Sequence, residues 1–116
     1  MNERGRMRLV ILESPYAGDV EANVSYARAC MHDCLLRGES PIASHLLYTQ
    51  PGVLDDLVPD ERALGIAAGL AWRPVAHYSV FYAGRGWSRG MLAALQSARD
   101  EGRPYVVRDG IEPVEV

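Results

Sequence analysis

The sequence predicts an α/β fold, a three-layer sandwich on a small parallel sheet of about four to five strands. Two observations predict it. Strand-like and helix-like segments alternate along the chain, and the strand-like segments are short, continuous apolar runs. Such runs are typical of strands that helices cover on both faces. The chain has 116 residues, so we expect a single domain over residues 1–116.

The first half of the chain predicts two strands on either side of a long helix. Residues 7–14 form the first apolar run, and Asp19 is suited to cap the helix that follows and ends at Gly38. The apolar stripe that we expect to face the core consists of Val20, Val24, Ala27, Met31 and Cys34. A very short second strand is expected over residues 41–44, and a long loop over residues 45–59 is a candidate binding element.

The second half predicts two more strands and two more helices. Pro59 opens a helix to about residue 72, whose apolar side is Leu64, Ala67, Ala68 and Ala71. A third strand is expected over residues 77–83, followed by a glycine-containing loop. Ser88 is suited to cap a helix to about residue 101, with Met91, Leu92, Leu95 and Ala98 facing inward. A fourth strand over residues 104–107 completes the pattern.

Composition excludes several classes of function. All twelve basic residues are arginine, which excludes a Schiff-base lysine and the lysine of a P-loop. The net charge of −3 argues against a nucleic-acid partner. No apolar run approaches the roughly 18–20 residues that span a bilayer, and none near the N-terminus resembles a signal peptide, so we expect a cytoplasmic protein with no membrane partner.

The two cysteines and the small size of the chain carry further expectations. Cys30 and Cys34 share one face of the first helix, but a zinc site needs three or four ligands and no second Cys/His cluster follows. We therefore expect both cysteines in the core, no metal site and no cofactor. Because a chain of this size has a modest core, we expect a homo-oligomer, with residues 1–6 and 110–116 flexible or interfacial.

Three polar segments follow predicted strands, at residues 14–19, 45–48 and 84–91. Because ligands of open parallel sheets bind beyond the carboxyl ends of the strands, we expect these segments to converge on one ligand. In the first two segments, Ser14, Tyr16, His45 and Tyr48 are candidate contacts. The alternatives are that Ser14 and Tyr16 satisfy hydrogen bonds of a turn, and that His45 and Tyr48 are ordinary loop residues.

The third segment resembles an anion site. Ser88 and the free N–H groups behind it suit a phosphate or carboxylate, Gly90 permits close approach, and Arg85 or Arg89 can add a charged group. The alternative is an ordinary capped helix. The pattern Gly-x-Ser-x-Gly around Ser88 also matches the hydrolase nucleophile elbow, but no histidine follows Ser88, which excludes that class.

Taken together, the order and spacing of these motifs resemble the nucleoside 2-deoxyribosyltransferase-like superfamily, and more closely its small bacterial and phage branch of unassigned function. The resemblance covers roughly residues 8–108. The motifs that carry it are Ser14-Pro15-Tyr16 with Gly18-Asp19, Pro41 with His45-Leu46-Leu47-Tyr48, Pro59 with Glu61-Arg62 and Gly65, and Ser88-x-Gly90-Met91.

The resemblance implies a flavodoxin-like or Rossmann-like fold, usually oligomeric, that acts on N-glycosidic bonds. Better-known members transfer deoxyribose between bases or hydrolyse nucleotides to base and sugar phosphate. Their nucleophile is a glutamate in the helix after the Ser-x-Gly turn, and a tyrosine near the first strand helps to position it. The resemblance also implies that the Ser-x-Gly turn holds a 5′-phosphate or hydroxyl group.

This sequence departs from the family pattern at the nucleophile. The position of the glutamate is Ala94, and Gly84 stands where relatives tend to carry an aspartate. Three alternatives stay open. Another carboxylate such as Glu13, Asp19 or Glu61 acts instead, a neighbouring subunit supplies one, or the protein has lost the chemistry and only binds.

We therefore expect a protein that binds a small-molecule nucleoside or nucleotide and, if it is an enzyme, hydrolyses an N-glycosidic bond. Hydrolysis is favoured over transfer because water attack needs only a single base. The alternative is a catalytically inactive ligand sensor or interaction protein on the same fold. The expected catalytic residues are Tyr16, Asp19 and His45. The expected ligand-binding residues are Ser14, Gly18, Tyr48, Arg85, Ser88, Gly90 and Met91.

Overall fold

In the computed structural model, which describes residues 6–109, strands and helices alternate as predicted. The expectation for flexible or interfacial termini falls outside the described residues, apart from Arg6. The elements in chain order are β1 (Arg8–Glu13), α1 (Val20–Leu36), β2 (Glu39–Ile42), α2 (Ser44–Leu47), α3 (Pro59–Leu70), β3 (Tyr78–Tyr82), α4 (Arg89–Asp100) and β4 (Tyr105–Arg108).

The four strands form one parallel sheet in the order β2-β1-β3-β4, which confirms the predicted α/β fold. The chain moves outward from β1 to β2 and then crosses back to β3 and β4 on the other side. Right-handed crossovers of this kind place α1 on one face of the sheet and α3 and α4 on the other. The reversal of strand order leaves a crevice at the carboxyl ends of β1 and β3, where ligands bind in such sheets.

The hydrophobic core lies between the sheet and α1. Its buried members are Val10, Leu12, Cys30, Cys34, Ala43, Val80 and Tyr82. Both cysteines are free and fully buried, as predicted, and burial raises the pKa of Cys30 to about 12 and that of Cys34 to about 11. These thiols are therefore poor nucleophiles at neutral pH.

The predicted apolar stripe of α1 is partly wrong, because the buried face includes a polar residue and leaves Val20 39% exposed. The buried residues are Asn23, Ala27, Cys30 and Cys34. Asn23 faces inward because its amide donates to the backbone carbonyls of Tyr16 and Ala17, at 3.0 and 3.2 Å. It thereby holds the turn between β1 and α1.

The predicted bounds of β2 and the loop after it also need correction. The strand begins two residues earlier than expected, at Glu39, which is 3% exposed and pairs with Arg108. A buried carboxylate at a strand start is invisible to an apolar pattern, because its partner lies 69 positions away in sequence. The expected loop over residues 45–59 contains the short helix α2 at its start.

The second face of the sheet is covered differently from the prediction. No residue of α3 is buried, and Leu64 on its expected inner side is 60% exposed. In α4, Met91 and Ala98 are buried as expected, whereas Leu92 is 51% exposed. A cavity lies between α3 and α4, and the α3 residues that line it include Gly65, Ile66, Gly69 and Leu70, whereas Leu64 and Leu92 lie outside the lining. Among the described residues, every helix is too short or too polar to cross a bilayer.

Candidate functional site

A cavity of about 760 Å³ lies between α3 and α4, on the face of the sheet that α1 does not cover. Ile11, Glu13 and Ser79 form part of its wall, whereas their strand neighbours Val10 and Leu12 pack against α1. The cavity reaches the carboxyl ends of the strands, where α4 begins. Its volume lies within the range of about 300–1,000 Å³ that is usual for small-molecule sites.

The segments after β1 and β2 meet at this cavity. The Ser14 Oγ lies 2.7 Å from the His45 Nε2, and the rings of Tyr16 and His45 meet edge to face with centroids 6.4 Å apart. Gly18 also lines the cavity. Its φ of +100° is a backbone conformation that residues other than glycine rarely adopt. Four of the predicted site residues are thus brought together.

Burial lowers the pKa of His45 to about 4, so its imidazole is neutral at pH 7. A neutral ring has one donor and one acceptor nitrogen, and its Nε2 can fill either role towards the Ser14 hydroxyl. The pair therefore orients a hydroxyl group at the cavity wall without adding a positive charge.

The first turn of α4 supplies a second wall, formed by Ser88, Arg89, Gly90 and Met91. Ser88 is the N-cap, as predicted, and its Oγ accepts a hydrogen bond of 3.2 Å from the Met91 backbone N–H. A Cβ at Gly90 would meet nothing closer than the Ser88 Oγ, at 4.0 Å, so the space beside this turn is open. Free N–H groups and the helix dipole both favour an anion at such a position.

Tyr48 lines the cavity as well, and its hydroxyl accepts a hydrogen bond of 3.0 Å from the Trp72 indole N–H. In all, eight of the ten predicted site residues line the cavity. Apart from Tyr48, which ends α2, these residues lie between a strand and the following helix or in the first turn of a helix, at the edge of the sheet where parallel strands end.

The other two predicted site residues lie outside the lining of the cavity. Asp19 caps α1, accepting a hydrogen bond of 3.2 Å from the Ala22 backbone N–H. Arg85 turns towards α1, where its Nε donates to the Asn23 Oδ1 at 3.3 Å and its guanidinium lies 6.0 Å from the centre of the Tyr26 ring. The structure therefore does not bring Asp19 and Arg85 to the other eight.

One carboxyl group inside the cavity received little weight from the sequence. Glu13 is the last residue of β1 and lines the cavity, two positions after Ile11 on the same face of the strand. Burial raises the pKa of Glu13 to about 7, while the positive charge of Arg103 acts in the opposite direction. Ala94 lines the same cavity.

The far end of the cavity carries two arginines that sequence reasoning missed. Arg73 donates to the Ser97 Oγ at 2.6 Å and pairs with Glu101, which also accepts a hydrogen bond of 3.1 Å from the Arg103 Nε. Arg73 follows α3 and Arg103 precedes β4, so both enter from the amino ends of the strands. No pattern in the sequence marks that edge as part of a site.

The mouth of the cavity is bordered by the loop after α2, where a neighbouring cavity of about 740 Å³ shares Tyr16 and Gly18 with the first. Two carboxylates at this mouth already have protein partners. The Glu61 Oε1 accepts a hydrogen bond of 3.0 Å from the Asp55 backbone N–H, and Asp56 pairs with Arg62 at 2.8 Å. Within residues 6–109, no group of three or more His, Cys, Asp or Glu side chains is placed to hold a metal ion.

Comparison with known proteins gives one match. Residues 8–108 match the model of a family described as a domain of unknown function, DUF7768. The matched segment begins with the first residue of β1 and ends with the last residue of β4, so it includes the whole sheet and the cavity. No curated protein and no solved structure matches the chain.

Proposed function

We propose a function for this chain, which belongs to the DUF7768 family: it binds a nucleoside or nucleotide in the cavity between α3 and α4. The observation that supports this proposal is the convergence of three chain segments on one cavity. Ser14 to Gly18, His45 to Tyr48 and Ser88 to Met91 all contribute to its lining. The motifs that resemble the nucleoside 2-deoxyribosyltransferase-like superfamily are the ones that converge.

The two ends of such a ligand suit different parts of the cavity. A 5′-phosphate suits the first turn of α4, where free N–H groups, the helix dipole and the nearby Arg89 all favour an anion. The base and sugar suit the neutral polar and aromatic groups of Ser14, Tyr16 and His45. Asp19 keeps a capping role in this proposal, because its carboxylate does not line the cavity.

The proposed activity is hydrolysis of the N-glycosidic bond of the bound ligand. A methyl group at Ala94 cannot capture a sugar, which disfavours transfer through a covalent intermediate at that position. Hydrolysis requires an activated water and a base, and the cavity retains a carboxyl group at Glu13.

The second candidate function is a catalytically inactive sensor of the same ligands. The observation that favours it is Ala94. The cavity has a helix N-terminus suited to a phosphate, but it has an alanine where the resemblance to the nucleoside 2-deoxyribosyltransferase-like superfamily implies a nucleophilic glutamate. A sensor requires stabilisation by the ligand without turnover, and at about 100-fold saturation that stabilisation is about 2.7 kcal/mol.

One experiment tests binding and activity together. The purified protein is incubated with the common nucleosides and their 5′-monophosphates, and the melting temperature and the release of free base are measured. Binding with release supports the hydrolase, binding without release supports the sensor, and no stabilisation by any compound contradicts the proposed function.

A matched pair of variants tests the phosphate subsite. Ser88→Asp keeps a good helix cap but places a negative charge where the phosphate is proposed to bind, so nucleotides should no longer stabilise the protein. Ser88→Asn is the control, because it is also a good cap and is neutral. Equal stabilisation of both variants by nucleotides would show that the phosphate lies elsewhere.

We further propose that a second copy of the chain covers α3 and that the protein works in the cytoplasm. The second copy is proposed because α3 has no buried residue in the single chain. The cytoplasm is proposed because both cysteines are free thiols, which suits a reducing compartment.

Sedimentation should give a species larger than the 12.8 kDa monomer, and Leu64→Glu should shift it towards the monomer. Leu36→Glu is the control, because Leu36 of α1 is 75% exposed against 60% for Leu64, and it should leave the assembly intact. A monomeric wild-type protein would contradict this part of the proposal, and cell fractionation tests the compartment.

A further inference from the structure

We infer that Glu13 is the general base that activates water for hydrolysis of the N-glycosidic bond. The inference rests on the proposed function and deepens it, because it names the group that replaces the missing glutamate. It depends on the position of Glu13 in the cavity, on its lack of partners and on the engagement of the other acidic side chains nearby.

The position of Glu13 is fixed by the strand that carries it. Glu13 ends β1, the strand beside the reversal in strand order, and it pairs in register with Phe81 of β3. Its side chain lines the cavity between α3 and α4. The next residue, Ser14, is held by His45 at the same cavity, so Glu13 lies beside the groups proposed to meet the sugar.

The Glu13 carboxyl group is free to act on a ligand. Within the described part of the chain it accepts no hydrogen bond and forms no ion pair within 4.0 Å, and Arg103 influences it only as a nearby charge. A carboxyl group in a cavity without a protein partner is available to a water molecule or to a hydroxyl group of a ligand.

The other acidic side chains around the cavity are already engaged. Asp19 caps α1, and Glu61 accepts a hydrogen bond from the Asp55 backbone. Asp56 pairs with Arg62 at the mouth, while Glu101 holds two arginines at the far end. Of the three carboxylates that the sequence left open as replacements, Glu13 is the one that is both inside the cavity and unpaired.

The electrostatic environment supports this role. Because burial disfavours the charged carboxylate, it raises the pKa of Glu13 to about 7, against the opposing charge of Arg103. A general base works best when its pKa lies near the operating pH, since it is then both ionised and basic enough to accept a proton.

The proposed step is a displacement by water at the C1′ atom of the sugar. The water oxygen forms a bond to C1′ while the N-glycosidic bond breaks, and the electron pair of that bond goes to the ring nitrogen of the base. One proton of the water passes to the Glu13 carboxylate and then to the departing base. The products are free base and the sugar or sugar phosphate, and no cofactor is consumed.

The test compares Glu13→Gln with the wild-type protein, using the common 5′-monophosphates as probes. Glu13→Gln has nearly the same shape but cannot accept a proton, so base release should fall by at least about 100-fold while nucleotide affinity is retained. Glu21→Gln removes an exposed carboxylate in the first turn of α1, outside the cavity, and is the control, with release expected at the wild-type level. Glu13→Asp keeps the charge but withdraws it by one methylene, and it should bind normally and hydrolyse slowly.

The pH profile gives a readout that a structural role would not produce. Base release by the wild-type protein should rise with pH up to about 7 and then level off, and this rise should disappear in Glu13→Gln.

Undiminished release by Glu13→Gln would overturn the role of Glu13 while leaving the proposed function intact. Loss of both nucleotide binding and base release in Glu13→Gln would also overturn the role of Glu13 as a base and leave the proposed function intact. Binding without release by the wild-type protein would overturn the catalytic role and support the sensor, whereas no binding at all would overturn the proposed function itself.

Discussion

The Ser14 hydroxyl and the His45 imidazole form a hydrogen bond with an Oγ–Nε2 distance of 2.7 Å, which joins the end of β1 to α2. Both side chains line the cavity, and the bond links the carboxyl ends of two neighbouring strands. Because the imidazole is neutral at pH 7, the bond holds the Ser14 hydroxyl in place without a net charge. This relationship makes the stability of the site dependent on pH.

His45 should reduce the free energy of unfolding as the pH falls below 6.5, the ordinary pKa of histidine. Burial lowers the pKa of His45 from 6.5 to about 4, so the unfolded chain takes up a proton in this range and the folded protein does not. The loss due to His45 should reach about 3 kcal/mol between pH 7 and pH 4, whereas protonation of Glu13, whose pKa is raised, stabilises the protein over the same range. Urea denaturation of the wild-type protein and of a His45 variant across this range separates the two contributions.

The control for this prediction is His45→Gln, whose amide nitrogen can replace the Nε2 but does not titrate in this range. Relative to the wild-type protein, its free energy of unfolding should rise by about 3 kcal/mol between pH 7 and pH 4, because only the wild-type chain has a His45 that takes up a proton on unfolding. Parallel pH dependence in the two proteins would show that His45 is not the group responsible.

Removing the Glu13 charge should stabilise the protein, most strongly at high pH. Burial raises the pKa of Glu13 from 4.5 to about 7, so the ionised carboxylate costs folding free energy at pH 8. Glu13→Gln should therefore raise the free energy of unfolding by up to about 3 kcal/mol at pH 8, and by less than about 1 kcal/mol at pH 5. Denaturation of both proteins at the two pH values tests this, and a pH-independent difference would contradict it.

The buried ion pair between Glu39 and Arg108 should be essential for stability. Arg108 donates to Glu39 at 2.7 Å and to the Tyr82 hydroxyl at 2.9 Å, and Tyr82 in turn donates to Asp33 at 2.7 Å. Burial opposes ionisation of Glu39, but the hydrogen bonds from Arg108 and Tyr78 hold the pKa of Glu39 below its usual value. Every side-chain polar atom that is completely inaccessible to solvent among the described residues has a partner, so removing one member of this network leaves another unpaired.

Arg108→Met should therefore destabilise the protein by about 3–5 kcal/mol, because it leaves the Glu39 carboxylate buried without its cation. Arg62→Met is the control, since the pair of Arg62 with Asp56 is more exposed and should contribute less than about 1 kcal/mol. Thermal or urea denaturation measures both. Similar losses in the two variants would contradict a special role for the buried pair.

The sequence predicted the fold where local pattern and tertiary structure agree. The first and third apolar runs became the buried strands β1 and β3, and Asp19 and Ser88 became helix caps, because these features depend on neighbours in sequence. The inner side of α3 was predicted on the wrong face, because the side that lines the cavity includes Gly65 and Gly69, and glycine adds no apolar side chain that would mark that face. Leu64 lies outside the lining and is 60% exposed.

The candidate site was predictable at one edge of the sheet and not at the other. Residues that follow strands, such as Tyr16 and His45, could be placed from topology alone. Glu13 could not be singled out, because a strand residue can face either side of the sheet and its burial depends on the gap between α3 and α4. Arg73 and Arg103 come from the opposite edge, and only the three-dimensional structure brings them to the cavity.

Gly69 should not tolerate a side chain, because α3 approaches α2 closely at this point. A Cβ at Gly69 would lie 2.7 Å from the Oγ and 2.8 Å from the Cβ of Ser44. Gly69→Ala should therefore destabilise the protein by about 1–3 kcal/mol, even though alanine is the better helix former.

The double variant Gly69→Ala with Ser44→Gly removes the clash and should recover part of this loss. Gly90→Ala is the control, because a Cβ there meets nothing closer than 4.0 Å. Denaturation that ranks Gly69→Ala no lower than Gly90→Ala would show that α2 and α3 can separate freely, and would remove the fixed wall that this contact gives the cavity.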